Sequence, residues 1–392
     1  MSLPIVYFSV ARWDAPPARQ QYLARALSAH TDVYYINPPE SEGRLLGLRR
    51  PEIRRAGEGI WVVENCFEIR FSRVGRHLGH CGGDVDAARL HRAMRDHGLA
   101  RFVAWTSCAS PARFIADRAD HLVYDCIDPC FVPAQQALVD IEEAAVARRA
   151  KVVFGTAEAL VERMARWNRA THLLCNACSA PDYHPGALSR LPRPLSLPRD
   201  GRPVVGYLGT VDWRFDAELI TLIATRMHDL TFCIAGRVNA EQVGRIANLK
   251  KLANVVMPGQ VSVDDGRAYT AAFDAGLIPF TPGAMNDAIN PVKMYMYLMA
   301  GKPVVATWTR ECARHAPYVR AARTAEEFAD SIKAAVSGDT PELRAARTRF
   351  AMQNRWEDRA VAAIDILSRA GLSTPECGRP GDRLEGGEHY GR

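Results

Sequence analysis

The run Asn290-Pro291-Val292-Lys293-Met294-Tyr295-Met296-Tyr297-Leu298-Met299-Ala300-Gly301-Lys302-Pro303-Val304-Val305-Ala306-Thr307 reads as loop, helix, tight turn and strand. Asn is a good N-cap, and Pro at the first helical position loses nothing by its missing N–H. Gly301 suits the left-handed residue after a helix, and Pro303 stops continuation. Val304 and Val305 open the short apolar run of a buried strand. Such a helix points its N-terminus outward from the C-terminal edge of a parallel sheet. Free backbone N–H groups gather there, and Lys293 sits in the first turn. That is an anion site, most naturally for a phosphate or diphosphate.

On either side of this run the same alternation fills both halves of the chain. Strand-like runs before residue 186 are Ile5–Val10, Asp32–Asn37, Ile60–Glu64, Arg101–Thr106, His121–Asp125 and Lys151–Thr156. Helical stretches between them are Arg19–Ala29, Asp86–His97, Pro111–Ala119 and Ala137–Arg149. A Pro-, Arg- and Leu-rich stretch, 187–203, reads as a semi-rigid linker. A second series follows, with strands Val204–Leu208, Thr231–Ala235, Asn254–Met257, Ala275–Pro279 and Val304–Thr307. Its helices are Ala217–Met227, Ala240–Leu249, Gly266–Phe273 and Pro291–Ala300. The segment Thr324–Leu367 is helical throughout. Alternation of this kind gives doubly wound parallel sheets. The expected fold is α/β: two Rossmann-like domains, 1–186 and 204–356, facing a central cleft, with a disordered tail at 371–392. Ligands bind at the C-terminal strand ends of such sheets.

Bulk properties bound the function. The chain has 392 residues, 48% of them apolar and 24% charged, as in a globular protein of two ordinary domains. No apolar run approaches the roughly 20 residues of a membrane helix. The first residues read as a buried strand rather than a signal peptide, so a cytoplasmic location is expected. The net charge of +6 is mild and no nucleic-acid module is present, so no nucleic-acid partner is expected. Among ten cysteines the single C-x-x-C, Cys175–Cys178, has no second pair at zinc spacing. No metal site is expected, and buried reduced thiols are the simpler reading. Between Arg44 and Arg55, Arg interleaves with Leu and Ile. This is either a loop or short helix resting on an anionic inner-membrane surface or a solvated turn.

Gly206-Tyr207-Leu208-Gly209-Thr210 ends the first strand of the second domain. Its glycines would let backbone approach a ligand, or simply make a tight turn. Asp216 caps the helix that follows. Arg237 ends the next strand and could reach a nucleotide or stay on the surface. Ile278-Pro279-Phe280 could pack on a base or sugar, or belong to the core. In the first domain, His121–Pro129 ends a buried strand with Asp125 and Asp128. Asp14 and Arg19 follow the first strand. Glu142 and Glu143 precede Arg148 and Arg149 on one helix, which reads as a solvated face.

The stretch 290–307 resembles the donor-site helix of GT-B glycosyltransferases, particularly the bacterial group 4-like enzymes of surface-polysaccharide assembly. Those commonly read Asn-Pro-x-Lys-x-Tyr-Glu-Tyr-Leu-Ala-x-Gly-Lys-Pro-Val-Val. A Gly-Tyr-x-Gly turn followed by an Asp is shared as well. The resemblance covers most of both domains. It implies a donor site of Gly206, Gly209, Thr210, Arg237, Asn290, Lys293 and Met296, with Lys293 on the donor diphosphate. It implies acceptor contacts at Asp14 and Arg19, and a terminal helix, 357–370, crossing back to the first domain. The segment around Asp125 and Asp128 is similar to the xanthan glucuronosyltransferase, which implies Asp128 as catalytic base of an inverting transfer, with Asp125 the alternative.

The departure is Met296, where the family's Glu binds the ribose. A thioether cannot accept those hydrogen bonds, and Glu311 is a substitute candidate. The reading is a metal-independent glycosyltransferase using a nucleoside diphosphate sugar as substrate, with no cofactor. Its acceptor is a hydroxyl on a lipid-linked glycan or a small molecule. The alternatives are a natural-product glycosyltransferase and a non-catalytic nucleotide-sugar-binding or scaffold protein of the same fold.

Overall fold

The computed structural model describes residues 3–38, 50–66, 80–109, 114–129 and 136–372. The first sheet holds β1 (Ile5–Phe8), β2 (Val33–Ile36), β3 (Glu52–Gly57), β4 (Ile60–Glu64), β5 (Val103–Thr106), β6 (His121–Cys126), β7 (Val152–Gly155) and β8 (Thr171–Leu173). Their order is β3-β4-β2-β1-β5-β6-β7-β8. Among the described strands of this sheet only β3, on the edge, runs antiparallel. Helices of eight or more residues here are α1 (Arg19–Leu27), α2 (His80–Asp96), α3 (Gln136–Arg149) and α4 (Glu158–Ala165).

The second sheet is all parallel: β9 (Val204–Leu208), β10 (Thr231–Ala235), β11 (Val255–Gly259), β12 (Ala275–Ile278), β13 (Val304–Thr307) and β14 (Val319–Ala322). Its order, β11-β10-β9-β12-β13-β14, reverses direction between β9 and β12. Ligands of doubly wound sheets sit in the crevice at such a reversal. The first sheet reverses likewise at β1, with β2 on one side and β5 on the other. Helices α5 (Ala217–Arg226), α6 (Val263–Ala272), α7 (Val292–Met299), α8 (Ala325–Ser337) and α9 (Pro341–Met352) cover the second sheet.

Helix α10 (Trp356–Arg369) returns to the first domain. Trp356, Ala360, Ala363 and Leu367 join the core of Ile5, Tyr7 and Leu23. The rings of Tyr22 and Trp356 stack at 5.8 Å. Leu372 is buried there too, so the tail is ordered at least that far. The rest of the tail, 373–392, lies outside the described residues, as do positions 111–113 of the helix expected from Pro111.

Several expectations are corrected. Residues 240–249 form no α-helix but two 3-10 turns, Ala240–Gln242 and Leu249–Lys251. Gly244 in the middle costs about 1 kcal/mol of helix propensity, and burial of Gln242, Ile246 and Leu249 is met by turns alone. Part of the basic cluster, Glu52–Arg55, is edge strand rather than loop or helix; 44–49 lie outside the described residues. Charged side chains on an edge strand discourage pairing with another chain. Glu143 is not on a solvated face. It is buried, accepts from the Tyr124 hydroxyl at 2.7 Å and pairs with Arg163. The cysteines of the C-x-x-C are free thiols, Cys178 buried and Cys175 half-buried. Among the described residues no helix is long and apolar enough to cross a membrane.

Candidate active site

The second domain's side of the cleft is built on two strand exits locked together. Gly209 follows β9 at φ +145° and Gly236 follows β10 at φ +150°. A Cβ on Gly236 would lie 2.0 Å from the Gly209 carbonyl oxygen, so only glycine fits. Gly209 N–H donates to Ala235 O at 2.9 Å and Val211 N–H to Arg237 O at 2.8 Å. The rigid turn thus made faces Lys293, whose Nζ would be 3.2 Å from a Cβ on Gly209.

Lys293 comes from the first turn of α7 and reaches the reversal between β9 and β12. Its Nζ donates to the Tyr207 hydroxyl at 3.1 Å. That hydroxyl in turn donates to Thr210 O at 2.7 Å, so its lone pair is what Lys293 meets. The ammonium lies 4.2 Å from the Tyr207 ring centroid and 5.0 Å from that of Phe280, both cation–π distances. Burial, helped by the charge of Arg214, pushes the Lys293 amine down to about 7; Asp212 partly opposes this. An incoming anion would reverse that shift.

The loop after Gly209 carries Asp212 and Arg214. Arg214 Nε bonds both Asp212 oxygens, at 3.0 and 3.1 Å. Burial favours the neutral form of Asp212, but these bonds outweigh it and hold the carboxyl below its usual range. Facing them from the first domain is Asp128, beyond the end of β6. The crowding walls raise its carboxyl above the ordinary value, Arg214 and then Arg19 pull it back, and Asp212 adds to the rise. The side chain keeps solvent access. A raised, accessible carboxylate is suited to taking a proton.

Other expected site residues fall elsewhere. Gly206 is buried inside β9, where a Cβ would sit 2.1 Å from the Phe273 ring; its small size serves packing, not ligand approach. Arg19 is buried and committed inside the protein. It bonds Asp125 through Nε and Nη2 at 3.1 and 2.8 Å, and Asn176 Oδ1 and Cys175 O through Nη1 at 3.2 and 3.3 Å. That leaves neither Arg19 for an acceptor nor Asp125 for base catalysis. Asp14 is exposed and pairs with Arg54 at 3.0 Å. Asn290 is not the N-cap of α7: Pro291 takes that position. The Asn290 side chain is buried against Asn176 and Glu311 instead of facing a donor.

Glu311 is fully buried, with its oxygens taken by Glu158 N–H and Asn290 Nδ2, so it is no substitute for a ribose-binding Glu. Met296 is half-buried on α7, Thr210 half-buried in the turn, and Arg237 exposed at the exit of β10. Phe280 is buried core. Sequence alone does not point to Tyr207, Arg214 or Asn176. Tyr207 lies within the quoted Gly-rich turn, but nothing local marks Arg214 or Asn176. Among the described residues there is no cluster of three His, Cys, Asp or Glu side chains arranged to hold a metal ion.

Two Rossmann-like domains facing a cleft make the GT-B fold, and comparison with solved structures agrees. The chain superposes on sucrose-phosphate synthase of Thermosynechococcus elongatus with a TM-score of 0.72 at 15% identity, covering 94% of this chain and 98% of that one. It superposes on HepE of Anabaena, solved in complex with UDP and glucose, with a TM-score of 0.64 at 16% identity, covering 94% and 100%. More particularly, residues 202–337 match the sequence family described as Glycosyl transferases group 1. A stretch of 104 residues is 30% identical to TuaH of Bacillus subtilis (strain 168), a glycosyltransferase assigned to teichuronic acid biosynthesis. That match spans 26% of the length of either chain.

Proposed function

We propose that this protein is a glycosyltransferase that takes its sugar from a uridine diphosphate donor and passes it to a hydroxyl on a lipid-linked glycan. The observation that carries the reading is Lys293: a half-buried ammonium at the β9/β12 reversal, at the head of α7, with one hydroxyl partner and no carboxylate bonded to it among the described residues. Such a group is poised to meet a diphosphate. The family match over 202–337, and the UDP bound to HepE, support the choice of donor. The teichuronic acid assignment of TuaH supports a cell-surface polymer as the product class.

In this reading the donor diphosphate lies between the Gly209 turn and the first turn of α7. Lys293 and the helix N-terminus stabilise the charge that develops as the diphosphate departs, the role a metal ion plays elsewhere. Asp128 accepts the proton of the attacking hydroxyl. Arg214 spans the two walls: it is held by Asp212 and its charge reaches Asp128. Met296 offers the ribose an apolar contact in place of hydrogen bonds.

The test is release of UDP from radiolabelled UDP-sugars, in EDTA, with a membrane lipid extract as acceptor. Label moving into the lipid fraction, with UDP release that depends on the extract, is the expected result. Saturable UDP binding with no transfer to any lipid or soluble hydroxyl would favour a non-catalytic binding protein.

A further inference from the structure

A chain of buried polar groups crosses the floor of the cleft. It runs from Asp125 through Arg19, Asn176 and Asn290 to Glu311, and ends on the backbone of Glu158. Its two outer ends are first-domain groups, and Asn290 and Glu311 belong to the second domain. Asn176 lies on the segment leaving the first sheet. Arg19, Asp125, Asn176, Asn290 and Glu311 are all at most 7% exposed.

Every direction in this chain is forced by a group whose role is unambiguous. Asn176 N–H can only donate, and it bonds Asn290 Oδ1 at 2.8 Å. Asn290 therefore presents its Nδ2 to Glu311 Oε2, at 2.9 Å. The Glu158 N–H can only donate, and it bonds Glu311 Oε1 at 3.0 Å. Both oxygens of Glu311 must accept, which an ionised carboxylate does and a carboxamide cannot. Likewise Asn176 Nδ2 donates to Asn290 O at 2.6 Å, leaving Asn176 Oδ1 to accept from Arg19 at 3.2 Å.

The Glu158 end matters because helix α4 has no cap of its own. Its N-cap is Ala157, without a side-chain hydrogen bond. A carboxylate from the second domain caps it instead. Arg314 joins the same point, 3.2 Å from Glu158 and 3.4 Å from Glu311, and Arg310 reaches Glu158 at 3.0 Å and Glu162 at 2.7 Å.

We propose that Glu311 and Asn290 are positioning residues that lock the two domains together, the first by capping α4 across the cleft and the second by tying the chain before α7 to Asn176. Resting on the donor reading above, the lock sets Lys293, three residues after Asn290, against Asp128, three residues after Asp125. Opening the cleft strips α4 of its cap and leaves a carboxylate and an amide without partners, so the closed arrangement is favoured by groups that touch no substrate.

The test uses Glu311→Gln, and Glu311→Gln with Asn290→Asp, in the full chain. The single change leaves one donor facing a donor. The double change restores every acceptor: the carboxylate moves to position 290, and the side-chain amide introduced at position 311 donates to it. Amide exchange at the first turn of α4 reads the lock with no substrate present. We expect about tenfold or greater acceleration in the single variant and return to near the parent rate in the double. With donor and acceptor, kcat of the single variant should fall about tenfold or more while the UDP Kd stays within about twofold, since the UDP contacts are in the second domain. Unchanged α4 exchange in the single variant, or a double variant as impaired as the single, would overturn the lock. Because the exchange arm needs no UDP, it still decides if the donor reading fails.

Discussion

Two cations line this cleft, Arg19 buried and Lys293 half-buried, and they are treated oppositely. Arg19, on the first domain, is well paired: a bidentate carboxylate and two carbonyl-type oxygens take four of its five donors. Burial alone would weaken its charge, but Asp125 outweighs that and raises its pKa. Lys293, on the second domain, has one neutral hydroxyl, and its amine is pushed down to about 7. A cation that serves the fold arrives with its counter-charge. A cation kept for a ligand is left short of one, at a cost the apo protein bears. Charge alone would rank the two alike; their partners separate them.

The largest effect is expected where the two walls meet. Asp128→Asn should lower kcat by about 10²–10⁴ with little change in UDP affinity, measured by initial rates and calorimetry. Equal losses in kcat and in UDP binding would place Asp128 on the donor instead. Arg19→Met leaves Asp125 buried and unpaired and should cost about 3–5 kcal/mol of stability, read by urea unfolding. A small loss there would erase the contrast drawn between the two cations.

Gly206→Ala sharpens the boundary between fold and site. The added methyl meets the Phe273 ring, an overpacking expected to cost about 1–3 kcal/mol, with the UDP Kd unchanged in the folded fraction. A lost UDP affinity with intact stability would return Gly206 to the phosphate pocket.

The pH dependence is the smallest and most specific effect. Between about pH 7 and the ordinary lysine value of 10.5, the unfolded chain holds a proton that folded Lys293 has released. The Lys293 contribution to stability therefore rises with pH in that window, by at most about 1.4 kcal/mol per unit. A bound diphosphate wants the proton back, so UDP affinity should fall from pH 7.5 to 9.5 with proton uptake on binding. Calorimetry in buffers of different ionisation enthalpy measures that uptake. Lys293→Met should remove it.

The sequence makes the second domain legible because its signals are local. Pro291, Lys293, Gly301 and the Val304 run sit within one helix–turn–strand unit, and they specify the helix and its place on the sheet. The first strand of that domain, Val204–Leu208, and the last helical segment are read from periodicity in the same way. What escapes is set by distant partners. Asn290 has the chemistry of a cap, yet Asn176 and Glu311 claim it from 114 and 21 residues away. Gly206 looks like a ligand glycine because Phe273 is invisible from position 206. Arg19 and Asp125, 106 residues apart, look like two free polar groups until they meet. Strand β14, Val319–Ala322, carries an Arg and two Ala and owes its state to pairing with β13. Edge strand β3 is hidden by its charges for a similar reason.

The central claim, that Lys293 is the cation kept for a nucleoside diphosphate, is tested most directly by titrating UDP into the parent and Lys293→Met at pH 7.5, with unfolding measured on both. UDP binding should weaken by about 10- to 150-fold in the variant, the worth of a charged hydrogen bond, while the unliganded variant is as stable as the parent or more so. Equal UDP affinity in the two proteins, or a variant markedly less stable than the parent, would contradict it and make Lys293 one more structural cation like Arg19.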